Sequence, residues 1–210
     1  MTTDQFSHDG RSARRERNRE TVVDAVLDAI EGGAAIPTIR RVAELAGVSE
    51  RSIFRYFGDL DELLAAAIDA AMKRYGPCAR IAHEGHGTVE DRIDALIEAR
   101  LLLWVRSDAA AALVRARAAT LPLLQETLTE SRRKMREQSE RHLADVLDQL
   151  SADERSHALH MIDLVVSYES FRLQLDAGAT SDQVRARWRY ALRKLLLPLG
   201  SADRPHAGVG

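Results

Sequence analysis

An all-α fold follows from three features of the 210-residue chain. Most of it consists of long stretches rich in Ala, Leu, Arg and Glu, residues that favour helix. Its glycines and prolines fall between those stretches and punctuate them. Apolar residues recur at the three- and four-residue spacing of a helix face, and few runs show the alternation of a strand. About nine helices are expected, in an N-terminal three-helix helix-turn-helix domain followed by a larger helical domain.

In chain order, residues 1–10 are polar and read as a disordered tail. The first helix is expected from about Arg14 to Glu31, with Val22, Val26, Ala29 and Ile30 as its apolar stripe and Gly32-Gly33 ending it. Pro37-Thr38 opens the second helix, Thr38 serving as N-cap, and Ser49 caps the third. Asp59-Leu60-Asp61-Glu62 resembles a capping box at the start of a fourth helix that reaches about Tyr75. Gly76-Pro77 breaks the chain, and 83–88 reads as a loop. Five more helices are expected near 89–106, 108–119, 122–150, 153–177 and 181–198, punctuated by Pro122, Ser151-Ala152-Asp153 and Gly178. The domains are thus 11–76 and 77–200, with a loose tail at 201–210.

Composition narrows the function classes. The formal net charge is −2, so any basic surface must be local. The single cysteine, Cys78, allows no disulfide within the chain, which suits a reducing cytoplasm. No stretch approaches 18 uninterrupted apolar residues, and the polar N-terminus has no apolar signal core, so no membrane partner is expected.

The segment from Thr38 to Phe57 carries the strongest functional signal. It reads as two short helices broken at Gly47. Stepping 100° per residue from Ser49 places Ile53 and Phe57 on one side of the third helix, flanked by Ser49 and Tyr56. Arg51 and Arg55 fall on the opposite side, bordered by Ser52 and Phe54. One face packs and the other presents two guanidiniums, a hydroxyl and an aromatic ring. Arg grips guanine O6 and N7 in a bidentate way, Ser reads base or phosphate, and Phe touches a thymine methyl. Ala43, Gly47, Val48 and Ile53 supply the small residue, left-handed turn, core plug and core anchor of a helix-turn-helix. Arg40 stands at the start of the second helix, within reach of groove or backbone. Arg11, Arg14, Arg15, Arg17 and Arg19 form a local basic arm suited to phosphate.

Residues 14–75 resemble the N-terminal domain of the TetR (tetracycline-repressor-like) family of bacterial regulators. The shared pattern is Thr38, Val42-Ala43, Ala46-Gly47-Val48-Ser49, Ile53-Phe54-Arg55-Tyr56-Phe57 and Leu63-Leu64. The resemblance implies a cytoplasmic homodimer, each subunit placing its third helix in the major groove of a palindromic operator on double-stranded DNA. It implies a repressor released when an effector of unknown identity, a small molecule, binds the C-terminal domain, with no cofactor and no enzyme activity. Thr38, Arg40, Ser49, Arg51, Ser52, Phe54, Arg55 and Tyr56 are then the expected DNA contacts, with Arg14, Arg15 and Arg17 on phosphate. Two positions depart from the family pattern: Phe54 stands where Tyr is common, and Leu60 where Lys is common, in an acidic turn.

In the C-terminal half, polar groups interrupt apolar stripes, as in a ligand cavity with a few directing groups. Arg100 interrupts the stripe of Ile93, Ile97 and Trp104. Ser131, Gln138 and His142 interrupt that of Leu124, Leu128, Met135, Val146 and Leu150. Tyr168 shares a face with Met161, Val165 and Phe171. The expected effector pocket is therefore Arg100, Trp104, Ser131, Met135, Gln138, His142, Tyr168 and Phe171, with Arg100 meeting a carboxylate or other anion. Ordinary core packing is the competing reading for each residue. The last two helices carry broad apolar faces, with Val184, Trp188, Ala191, Leu195 and Leu199 on one and Ile162, Val166 and Leu173 on the other. The resemblance makes these a four-helix dimer interface.

Two alternatives stand beside this reading. One is a helical enzyme or metalloprotein using His83 and His86, or His157 and His160, though neither pair has cysteine partners or a zincin glutamate. The other is a family member with weak DNA binding that acts through protein contacts, which the acidic turn at Leu60 favours.

Overall fold

The computed structural model describes residues 4–33 and 37–200, and side chains within 14–33 and 37–197. The described residues form ten α-helices and a 3-10 turn. These are α1 (Asp4–Glu31), α2 (Ile39–Ala46), α3 (Glu50–Phe57), α4 (Leu60–Tyr75), the turn Gly76–Ala79, α5 (Val89–Ala118), α6 (Pro122–His142), α7 (Ala144–Leu147), α8 (Ala152–Val165), α9 (Tyr168–Asp176) and α10 (Ser181–Gly200). No described helix is long and apolar enough to cross a membrane. The expected tail at 201–210 and the first three residues lie outside the described part, as do the side chains of Arg11 and Leu199.

The chain divides into two compact units, and the boundary differs from the expected one. The first unit runs through Gly76 and also takes in Ser107–Leu128; the second comprises Pro77–Arg106 and the chain from Thr129 onward. A break at Gly76-Pro77 is visible in sequence. The return of 107–128 is not, because it depends on packing: Ala109, Ala110 and Leu113 lie against the core of the first unit.

That core joins α1 through α4. Val22, Val23, Val26, Leu27 and Ile30 of α1 meet Val42 and Ala43 of α2, Ile53, Tyr56 and Phe57 of α3, and Leu63 and Ala67 of α4. Each short helix is fixed at its ends. Thr38 caps α2 by accepting from the Arg41 amide at 3.3 Å, and Ser49 caps α3 by accepting from the Ser52 amide at 3.2 Å. Asp59 caps α4, accepting from the Glu62 amide at 2.9 Å. Gly47 ends α2 at φ 66°, the left-handed conformation that a side chain disfavours. Arg74 then ties α4 to α1 through Asp24, Asp28 and Glu31, and the Tyr75 hydroxyl donates to Glu31.

Four expectations about helix ends need correction. First, α1 begins at Asp4, so 4–10 are helical where a tail was expected. Second, 89–106 and 108–119 are one helix, because Ser107-Asp108 precedes four alanines and contains no breaker. Third, 122–150 is two helices, parting at Leu143, whose φ of −109° and ψ of 15° leave the helical region. Fourth, 153–177 also divides. The Val166 carbonyl accepts from the Trp104 indole at 2.9 Å, and Ser167 caps a new helix by accepting from the Ser170 amide at 3.0 Å. None of the last three can be found from Gly or Pro positions.

In the second unit, α10 packs against α7, α8 and α9. Its buried stripe is Val184, Trp188, Leu192 and Leu196. Along α5, Glu90, Asp94 and Glu98 meet Arg193, Arg189 and Arg185 of α10 at 2.8, 2.5 and 2.5 Å. Acids ascending by four and arginines descending by four fix the two helices antiparallel.

Candidate functional site

The outward face of α3 is built by its inward face. Ile53 and Phe57 are fully buried and Tyr56 nearly so, which turns Arg51, Phe54 and Arg55 to the surface. Phe54 is 49% exposed, a large aromatic ring with no core to fill. The helix is held from α1. Arg15 donates to the Arg55 carbonyl at 3.2 Å, an orphan acceptor at the helix end. Asn18 donates to the Tyr56 hydroxyl at 3.1 Å, and the Arg19 guanidinium lies 4.9 Å from the centre of the Phe57 ring. Arg55 donates to the same Tyr56 hydroxyl at 3.3 Å.

The expected DNA contacts therefore fall into groups. Arg14, Arg15, Arg17, Arg51, Phe54 and Arg55 are exposed and open to a partner surface. Arg40 is exposed and lies 3.7 Å from Glu44 on its own helix, an exchangeable surface pair. Thr38 and Ser49 are spent as caps, and the Ser49 and Ser52 hydroxyls bond each other at 3.0 Å. The Tyr56 ring is core, so only its hydroxyl remains available. That hydroxyl accepts from Arg55 and Asn18, which hold its pKa below the ordinary phenol value. Asn18 is a site residue that sequence reasoning misses. Its signal is a polar residue extending the stripe Val22, Val26 and Ile30 by one turn. The acidic turn at Leu60 also has a structural use, since Asp59, Asp61 and Glu62 occupy the first turn of α4, where negative charge is favoured.

In the second unit, the structure brings together part of the expected effector pocket. Arg100 is 1% exposed and donates to Gln138 Oε1 at 2.9 Å, the Met135 carbonyl at 3.0 Å and Ser139 Oγ at 3.2 Å. Trp104 meets Tyr168 edge-on with ring centres 5.6 Å apart, and Phe171 follows 6.3 Å from Tyr168. Ser131 and Met135 are half-buried on α6. His142 is held by a separate set of hydrogen bonds. Its ring is fully buried, Nε2 lies 2.9 Å from the Arg92 carbonyl, and Nδ1 accepts from the Gly85 amide at 3.0 Å. It pins the 83–87 loop to α5 and α6, and burial pushes its pKa below the usual histidine value.

Of the expected interface residues, Ile162, Val166, Val184 and Trp188 lie inside the chain's own core, Trp188 donating to Ser170 Oγ at 3.0 Å. Residues consumed there cannot line a second surface. Ala191 and Leu195 are half-buried, and Leu173 alone of the set is exposed, at 73%. Among the described residues, the large exposed apolar side chains of α8, α9 and α10 are Met161, Leu164, Leu173 and Tyr190. Between α8 and α9 the cap at Ser167 restarts the helix, which puts Leu173 on a different face from Ile162 and Val166.

Among the described residues, no three of His, Cys, Asp and Glu come together as a metal site. His86 bonds the Glu84 carbonyl at 2.9 Å, and His160 lies against the Arg136 guanidinium at 2.9 Å, a poor neighbour for a cation.

A small helical core presenting a capped helix with outward arginines, after a glycine turn, is the arrangement of a helix-turn-helix. The comparisons narrow the class. Residues 29–67 match the family model of bacterial regulatory proteins, tetR family. A solved structure described as a TetR-family transcriptional regulator from Rhodococcus sp. is 17% identical, with a TM-score of 0.67 over 85% of this chain and 98% of that one. A transcriptional regulator from Rhodococcus sp. Rha1 is 23% identical, with a TM-score of 0.63 over 86% and 96%. Comparison with curated proteins finds no match. Residues 29–67 thus match the helix-turn-helix domain of the tetR family, and the chain shares the fold of these two regulators.

Proposed function

We propose that the protein is a dimeric repressor that reads a palindromic operator with α3 and releases it when a small molecule binds the second unit. The observation that carries this reading is the division of α3 into an anchored face, Ile53, Tyr56 and Phe57, and an outward face, Arg51, Phe54 and Arg55. In the proposed complex Arg51 and Phe54 read base edges, with Ser52 and Arg40 beside them. Arg55 and the Tyr56 hydroxyl hold a phosphate together with Arg14, Arg15 and Arg17. Thr38 and Ser49 act through the helix N-termini they cap.

Dimerisation is assigned to a second copy of the chain meeting Met161, Leu164, Leu173 and Tyr190, large apolar side chains exposed on α8, α9 and α10 among the described residues. A two-fold pairing of subunits matches a two-fold operator, with half-sites about one helical turn apart. The effector is assigned to the surroundings of Arg100, Trp104, Tyr168 and Phe171.

The test is a mobility-shift titration of the purified protein on DNA upstream of its own gene, at several salt concentrations. A discrete, salt-sensitive complex that resists competitor DNA supports the reading. Binding that competitor removes completely argues instead for a protein acting through protein contacts.

A further inference from the structure

Arg100 is a cation whose chemistry the folded chain leaves incomplete. It sits on α5 with 1% of its surface exposed. Three of its five N–H groups donate hydrogen bonds, to Gln138, Ser139 and the Met135 carbonyl, and every one of those acceptors is neutral. Two carboxylates act on it from a distance, and both are engaged by other arginines: Asp163 by Arg136 at 3.5 Å and Glu84 by Arg141 at 3.1 Å. Burial lowers its pKa to about 10, so it remains a full cation at neutral pH. A buried charge is ordinarily paired, and a guanidinium is the side chain shaped to take a carboxylate through two parallel N–H bonds.

The neighbours say what such a ligand would carry besides its charge. Trp104 follows Arg100 by one turn on the same helix, edge-on to Tyr168, with Phe171 next in line. Trp104, one turn from the cation, thus begins a row of three buried rings, and ligand sites combine such apolar lining with a few directing groups. Gln138 and Ser139 are neutral groups that an incoming anion can displace from Arg100 without stranding a charge. The Gln138 amide keeps a second anchor in the Ala79 carbonyl at 3.1 Å.

We propose that Arg100 is an anion site, and that it binds the carboxylate of an organic acid whose apolar or aromatic body lies against Trp104, Tyr168 and Phe171. This rests on the second unit being the effector-binding unit, and it adds the chemical class of the effector.

The experiment uses the full chain with four probes: 3-phenylpropionate, octanoate and the primary amides of both. Binding is read by calorimetry and by thermal stabilisation. The acids should bind and stabilise the protein, and their amides, equal in shape but uncharged, should bind about tenfold to a hundredfold more weakly. Arg100→Met should abolish the preference for acid over amide, and Arg100→Lys should retain part of it. The acid–amide comparison on the unaltered protein needs no variant, so a poorly folding Arg100→Met does not block the test. Equal affinity for acids and amides, no binding of either acid, or an unchanged preference in the substituted proteins would overturn the proposal. DNA binding measured on the same preparation separates the two readings. If the acids bind but never loosen DNA, the anion site stands and effector release fails. If DNA binds and the acids do not, the anion site alone fails.

Discussion

The hydroxyl of Tyr56 accepts from two donors, Asn18 and Arg55, so its own hydrogen is left to donate. With Arg14 and Arg15 nearby on α1, the set has the composition of a phosphate contact, and all its members but Asn18 are visible in the sequence. Their roles are less visible. Arg15 reads as a phosphate contact, yet one of its nitrogens is used on the Arg55 carbonyl, so it also positions α3. Replacing Arg14, Arg15 and Arg17 together with Ala should weaken binding to all DNA sequences alike. It should also reduce the slope of log affinity against log salt by about one unit for each phosphate no longer neutralised. A titration at four salt concentrations measures this, and an unchanged slope refutes the arm's role.

At the scale of elements, the turns and caps of the first unit are legible because they use local chemistry. Thr38, Ser49 and Asp59 each accept from an amide three residues on, and Gly47 takes the left-handed turn. A Cβ at Gly47 meets no atom within 4 Å, so the cost of Gly47→Ala is conformational alone. It should lower stability by about 1 kcal/mol, read as a lower melting temperature, with DNA affinity falling as α3 loses its angle to α2. Two helix breaks of the second unit, at Leu143 and Val166, are not legible because they are tertiary. The Val166 break depends on an indole 62 residues earlier in the chain, and the one after His142 follows a ring held by α5 and the 83–87 loop.

His142 also gives the second unit a pH dependence of known sign. Its folded pKa lies below the ordinary 6.5, so the unfolded chain takes up the proton first on acidification. Stability is therefore full above about pH 6.5 and falls as pH drops from there toward the folded value. Glu31, held below the usual carboxylate range by Tyr75 and then by Arg74, adds a loss only at lower pH. Melting curves between pH 7.5 and 5 should show the decline. His142→Gln should flatten it in that window, and an equal slope in the variant would remove His142 as its cause.

At the scale of the whole molecule, the all-helical class and the first unit's break at Gly76-Pro77 are readable from composition and spacing, but two features are not. The return of Ser107–Leu128 to the first unit has no breaker to mark it. The exposure of Leu173 beside buried Ile162 and Val166 is the other, because a cap at Ser167 resets the helical phase between α8 and α9. The corrected face predicts a dimer held through Leu164 and Leu173, at 63% and 73% exposure. Sedimentation at micromolar concentration should give the mass of two chains. Leu164→Asp with Leu173→Asp should give one chain, still folded by circular dichroism, because neither side chain belongs to the core. A monomer before substitution would end this assignment and, with it, the two-fold operator.

The proposed function has α3 reading double-stranded DNA through Arg51 and its neighbours. It is tested most directly by selecting bound duplexes from a random library with the unaltered protein and with Arg51→Ala. The unaltered protein should enrich one palindromic sequence. In the variant, preference should relax at one symmetric pair of positions, by about 1–3 kcal/mol of discrimination at each. Recovery of no preferred sequence, or of the same preference undiminished in Arg51→Ala, would contradict it.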